Sequence, residues 1–270
     1  MKKCIATLAI ICTALLSAGA GLPSSQNEVI FGPSMARGGN FIQSFTISTY
    51  FHTREVQEHI VALTPTPTRL PNHLTGRTCG ITAGANLMVA FNKVFPLIPN
   101  YSSTRLVAGR PAWSGTAPVA YQTFIQDLSI AMNETAQGVS MNQYHNGMRY
   151  IAERGGRTFN NQSMMVGSQL NLQALKAQLR QNRHASVFMT GFNIAGVNHE
   201  GHRDRFWLEQ YGGNHIMAVY GYRTKIYRDA QGQIIRTKNF LRVATGFGGL
   251  GLVYLNNYLT IYDLHTAWVS

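Results

Sequence analysis

The spacing of apolar residues along the chain changes character near residue 184. Before it, apolar side chains recur every three or four positions, the repeat of a helix with one buried face. Ala85, Leu87, Met88, Ala90, Phe91 and Val94 predict a mostly buried helix over 81–95, stopped by Pro96. The same spacing predicts helices over 117–132, over 141–154 with Gly155-Gly156 as its stop, and over 170–181. Residues 52–62 predict a short helix. Thr64-Pro65-Thr66-Pro67-Thr68 predicts an extended linker, because the residue before each proline is pushed out of helical geometry.

After residue 184 the apolar runs become short and continuous, the signature of strands buried on both faces. Ala185–Phe192, His215–Tyr222 and Phe240–Ala244 predict strands, with Asn193–Gly213 a polar loop between the first two. Asp229-Ala230-Gln231-Gly232 predicts a hairpin turn, Gly246–Gly251 a glycine-rich bend, and Val253–Tyr262 with the tail a last strand or two. Helices first and an antiparallel sheet second is an α+β pattern.

The N-terminus changes the compartment. Lys2 and Lys3 precede an apolar run from Cys4 to Leu16, and Ala18-Gly19-Ala20 has the small-x-small form of a cleavage site. Residues 1–20 are therefore expected to be a signal peptide cut after Ala20, and the protein secreted, extracellular or periplasmic. Residues 21–70 are expected to be a leader and linker, poorly ordered or draped over the domain, with pro-region character as a hypothesis. Residues 71–270 are expected to form one domain.

Charged residues make up 13% of the chain, yet its formal net charge is +12. Such a protein is drawn to anionic envelope polymers and lipid head groups. Its Lys and Arg residues are scattered, and no basic block marks a specific nucleic-acid site.

Removal of the leader also removes Cys4 and Cys12, which leaves Cys79 as the single cysteine. It sits at a turn running straight into the 81–95 helix, where the positive end of the helix dipole favours thiolate. A nucleophilic thiol needs a base, and His215 is the strongest candidate. It follows Tyr211-Gly212-Gly213-Asn214 and opens an apolar strand, so the strand would anchor it while the ring faces a cleft. Helix mouth and strand mouth facing one another would join the pair. His199-Glu200-Gly201-His202 places two histidines three apart, but in a segment read as loop and without a third strong ligand, so no metal is expected. Gly246–Gly251 lacks a strand-glycine-helix context and a phosphate-binding lysine.

The chain resembles papain-like cysteine peptidases, in particular the bacterial branch that clips bacteriocin leaders. Thr78-Cys79-Gly80 with Ala83-Gly84-Ala85, Gly212-Gly213-Asn214-His215-Ile216-Met217-Ala218-Val219-Tyr220-Gly221-Tyr222 and Val243-Ala244-Thr245-Gly246-Phe247-Gly248-Gly249 carry the resemblance. It implies a papain-like α+β fold, with an N-terminal helical half carrying the Cys79 helix packed on a C-terminal antiparallel sheet. It implies hydrolysis of a polypeptide or other amide through an acyl-enzyme, and no cofactor. The sequence departs from the family in two places. The position that orients the histidine falls at Ala244 or Thr245 rather than at Asn or Asp. The glutamine of the oxyanion hole is replaced by His73, with Asn72 beside it as a donor. Two other classes stay open: a degenerate scaffold that binds a partner, and an acyl transferase built on the same dyad.

Overall fold

The computed structural model describes residues 40–65, 79–99, 119–135, 138–246, 249–255 and 260–270. The proposed signal, residues 21–39 and Asn72 lie outside them. No described helix is long and apolar enough to cross a membrane.

Strand outweighs helix by about two to one. The organising element is a hairpin of two very long strands, β6 (His184–Glu200) and β7 (Arg203–Arg228), turning at Gly201-His202. The segment Asn193–Gly213, expected to be loop, is the distal part of this hairpin. Four strands close a circuit of pairings: β6 with β7, β7 with β8 (Ile234–Ala244), β8 with β9 (Leu250–Leu255), and β9 back to β6. β10 (Thr260–Val269) joins the outer edge of β6, and β3 (Phe159–Ser163) follows it. β4 (Met165–Val166) and β5 (Gln169–Leu170) form a separate small ribbon.

The sheet begins early in the chain. β1 (Asn40–Tyr50) and β2 (Thr53–Ile60) both pair with β7, where a linker and a helix over 52–62 were expected. β2 is solvated on both faces apart from Arg54 and His59, so its residues carry no apolar alternation to mark them as strand. On one edge of β7, β6 pairs up to Val219 and β2 takes over from Gly221. On the other edge, β1 pairs up to Gly212 and β8 takes over from Ala218.

The expected layout of a helical half against a C-terminal sheet is therefore overturned. One eight-stranded, mostly antiparallel sheet dominates, opened by strands that precede every helix among the described residues. The helices cover one stretch of it from both faces. α1 (Cys79–Asn92), α2 (Val119–Ala131) and α3 (Met141–Arg154) bury Leu87, Phe124, Leu128, Tyr144 and Met148 against Phe188, Ile216 and Ala218 of the sheet. α4 (Leu172–Arg180) buries Leu175 and Leu179 on the opposite face, against Val187, Met217 and Val219. Alternate residues of β6 and β7 thus serve two cores, which is why this stretch reads as a continuous apolar run. A Cβ on Gly147 would sit 2.3 Å from Met132 Cγ and 3.1 Å from the Met132 backbone nitrogen, so α3 meets the end of α2 through a bare backbone.

Candidate active site

α1 starts at Cys79 and is buried from Gly80 to Phe91. The glycine after the cysteine is required sterically. A Cβ there would lie 2.1 Å from Val139 Cγ2, so the first turn of α1 fits against the 138–140 segment only without a side chain. The Cys79 sulfur is half-buried. Burial raises its pKa above the ordinary 9.0, and the nearby backbone N–H groups of Ile216, Gly80 and Cys79 itself oppose that rise. The charge of Glu134 adds to it.

The Ile216 contact joins the two halves of the site. Between Gly212 and Ala218, one edge of β7 has no neighbouring strand among the described residues, and α1 begins there. The N–H of Ile216, a residue in register with Phe188 of β6, lies near the sulfur and favours its ionised form. His215 is the residue before it. His215 lies within β7 rather than at a strand mouth, and a register break between β6 and β7 just ahead of it changes its aim. Gly191 (φ 69°) and Gly213 (φ 83°) absorb that break in left-handed backbone conformations.

The imidazole is held on two sides. Its face stacks on Phe192 at 5.1 Å and 21°, and Phe192 stacks on Tyr211 at 5.1 Å and 10°. Its Nε2 lies 2.8 Å from the carbonyl oxygen of Thr245. A carbonyl can only accept, so Nε2 carries the proton and Nδ1 of the neutral ring is the basic nitrogen. Thr245 is fixed in turn, its N–H and Oγ1 each donating to the Gly249 carbonyl at 3.0 Å. Thr245 thus orients the histidine through its backbone, while its side chain serves the turn. Next to it, Gly246 (φ 78°) allows a close approach. A Cβ there would lie 3.6 Å from His215 Nε2 and 3.7 Å from Thr82 Cγ2. Thr82 is three residues beyond Cys79 on the same helix face, so the first turn of α1, Gly246 and the His215 ring are contiguous.

Burial lowers the His215 pKa below 6.5, and the Thr245 bond only partly offsets this. With the thiol raised and the imidazole lowered, the resting pair is neutral.

Several other groups lie elsewhere. His199 bonds Asp204 at 2.6 Å and His202 the His52 carbonyl at 3.1 Å, both at the hairpin tip. No cluster of metal-ligating side chains occurs among the described residues. A cavity of about 540 Å³ lined by Ile98, Thr123, Phe124, Asp127 and Arg154 does not include Cys79 or His215. Sequence reasoning missed Phe192, Glu134 and the Ile216 amide. Only Phe192 had a signal, the glycine just before an aromatic at the end of the first apolar strand.

Comparison with protein-family models, curated proteins and solved structures finds no match.

Proposed function

We propose that the chain is a cysteine-dependent amide hydrolase, acting on polypeptides, with Cys79 as nucleophile and His215 as base. The observation that carries this reading is the placement of both groups around one backbone step. The Ile216 N–H lies close enough to the sulfur to favour its ionised form, and His215 beside it is fixed by the Thr245 carbonyl in the tautomer that leaves Nδ1 basic. Export is supported by residues 1–20.

In the proposed course, Nδ1 takes the thiol proton as sulfur bonds the substrate carbonyl carbon and the carbonyl electron pair moves to oxygen. The Thr245 carbonyl stabilises the imidazolium that forms. Collapse of the intermediate breaks the C–N bond, and the imidazolium gives its proton to the departing nitrogen. Water then attacks the thioester and gives a proton to His215. The C–S bond breaks, and that proton returns to sulfur.

The test is turnover of a mixed peptide pool, followed by mass spectrometry, alongside alkylation of Cys79 by iodoacetamide. His215→Ala is expected to lower turnover by about 10²–10⁴-fold, and Cys79→Ala to abolish it. Because His215 must be neutral and burial lowers its pKa, the acid limb of kcat/KM is expected below pH 6.5. Alkylation of Cys79 at a rate unchanged by His215→Ala would overturn the reading.

A further inference from the structure

Trp207 lies on β7 in the part of the β6–β7 hairpin nearer the tip. Phe206 and Leu208 on either side of it are buried, so Arg205, Trp207 and Glu209 share the outward face of the strand. Trp207 is 56% exposed, whereas Trp268 carries the Arg183 guanidinium at 3.9 Å and the described phenylalanines are buried or half-buried. Indole area is normally buried, and here more than half of it faces solvent.

Directly across from Trp207 stand Thr46 of β1 and Gly196 of β6. Side chains facing each other across strands, with Cβ atoms about 5 Å apart, normally cover one another. Gly196 offers none, and neither its backbone nor its packing demands a glycine. It is not in a left-handed conformation, and a Cβ there would meet nothing nearer than the Trp207 carbonyl oxygen at 4.0 Å. Glycine inside a strand weakens it, and one with no local structural reason marks a place where a ligand comes close.

The surroundings define the ligand. About 7 Å to either side along β7 lie Arg205 and Glu209. Arg205 is outside every ion pair of the described residues, and Glu209 Oε2 accepts the Tyr211 hydroxyl at 2.9 Å. Asn198, across from Arg205, donates from Nδ2 to Glu200 Oε1 at 3.3 Å and keeps its own oxygen on an exposed side chain. The positions nearest the indole are thus short or polar, without the apolar cluster on which a protein partner would centre. An exposed aromatic ring bordered by both donors and acceptors matches a pyranose, which has an apolar C–H face and a rim of hydroxyls. A β-1,4-linked chain keeps its substituents equatorial, so its rings present flat C–H faces along an extended ribbon.

We propose that this face binds a β-1,4-linked polysaccharide, with one sugar ring stacked on Trp207 in the space left by Gly196 and its hydroxyls meeting Arg205 and Glu209. The site does not depend on Cys79 or His215.

Isothermal titration of the full chain with chitohexaose (β-1,4-linked) and maltohexaose (α-1,4-linked) tests this. The wild type is expected to bind chitohexaose with a Kd of about 0.1–1 mM, and maltohexaose at least about tenfold more weakly. Acrylamide quenching of the indole emission is expected to fall when chitohexaose is added. Trp207→Ala is expected to weaken binding by at least about tenfold. Gly196→Val crowds the indole and is expected to do the same, while its urea midpoint stays level or rises because a strand glycine has been replaced. Cys79→Ala and His215→Ala are expected to bind like the wild type, so this proposal and the hydrolase reading fail separately. Chitohexaose binding that is absent at about 10 mM, equalled by maltohexaose, or unchanged within about twofold by Trp207→Ala overturns the proposal. Normal binding by Gly196→Val does so too. The wild-type titrations need no variant to fold.

Discussion

β7 carries buried polar groups at two places along its length, and the fold treats them in opposite ways. Toward the hairpin tip, the carboxylate of Asp204 is wholly buried and has four partners: Arg54 at 2.5 Å, His199 at 2.6 Å, and Lys225 and Tyr227 at 2.8 Å. These partners belong to β2, β6 and β7, so one side chain fastens three strands. Burial alone would raise its pKa, but the bonds from Lys225, His199 and Tyr227 outweigh burial and hold it below 3.8. About ten residues along the strand, the His215 ring bonds the Thr245 carbonyl and stacks on Phe192, the Ile216 amide lies near the Cys79 sulfur, and Glu134 keeps one oxygen without a hydrogen bond. A saturated network specifies a structure, whereas a buried oxygen left without a partner specifies it less fully.

The comparison breaks most readily at Asp204. Asp204→Asn leaves Lys225 buried without its counter-ion and is expected to cost about 3–5 kcal/mol in urea unfolding. The lowered pKa gives the same residue a pH signature. Its contribution is present above 3.8 and is lost as pH falls through the folded-state value, so the variant's acid unfolding curve is expected to be flatter. A loss under about 1 kcal/mol would mean that the network is ornamental and the contrast false.

Lys238 sharpens the same contrast. It is 1% exposed, with Nζ 3.3 Å from Tyr254 Oη and over the rings of Phe206 and Tyr254 at 4.9 and 4.8 Å. Burial, with Arg236 adding, lowers its pKa from 10.5 to about 7. Between these two values the unfolded chain holds a proton that the folded one lacks, so stability rises with pH across that window. Lys238→Met is expected to remove the slope and to gain about 2 kcal/mol near pH 7, read from urea midpoints at pH 7 and 10.

The end that carries the proposed catalytic pair gives two smaller and opposed effects. Gly246→Ala forces a side chain into left-handed backbone and is expected to cost about 1–2 kcal/mol. Its turnover is expected to fall further than its stability, because the Thr245 carbonyl shifts with it. Thr245→Val removes a hydroxyl bond within the turn and leaves that carbonyl in place. It is expected to cost under about 1 kcal/mol and to keep turnover within about threefold. A large loss of turnover in Thr245→Val would assign orientation of the histidine to the side chain instead.

These outcomes bear on what could be read from the chain itself. The helices that became α1 to α4 were legible from their 3.6-residue spacing, and the Asp229–Gly232 turn from its residue types. β1, β2 and the far half of the β6–β7 hairpin were not. Their inward positions include Ser44, Ser48, Thr49, Asn193 and Asp204, which mimic surface residues until their partners are known. The overall layout failed for the same reason, since polar strands were taken for linker and loop. Cys79 and His215 stand out in the sequence as candidates because each borders an apolar segment. The Thr245 carbonyl was not, because a backbone acceptor has no signature of its own, and Glu134 looked like any solvated acid near a helix end.

The gap on one edge of β7 leaves the molecule with a natural probe. The amide of Ile216 lies near the Cys79 sulfur and acts on its ionisation. Its resonance in a ¹H–¹⁵N spectrum should move as Cys79 is ionised, alkylated or acylated, so the state of the nucleophile can be followed from a single main-chain signal without any label at the thiol.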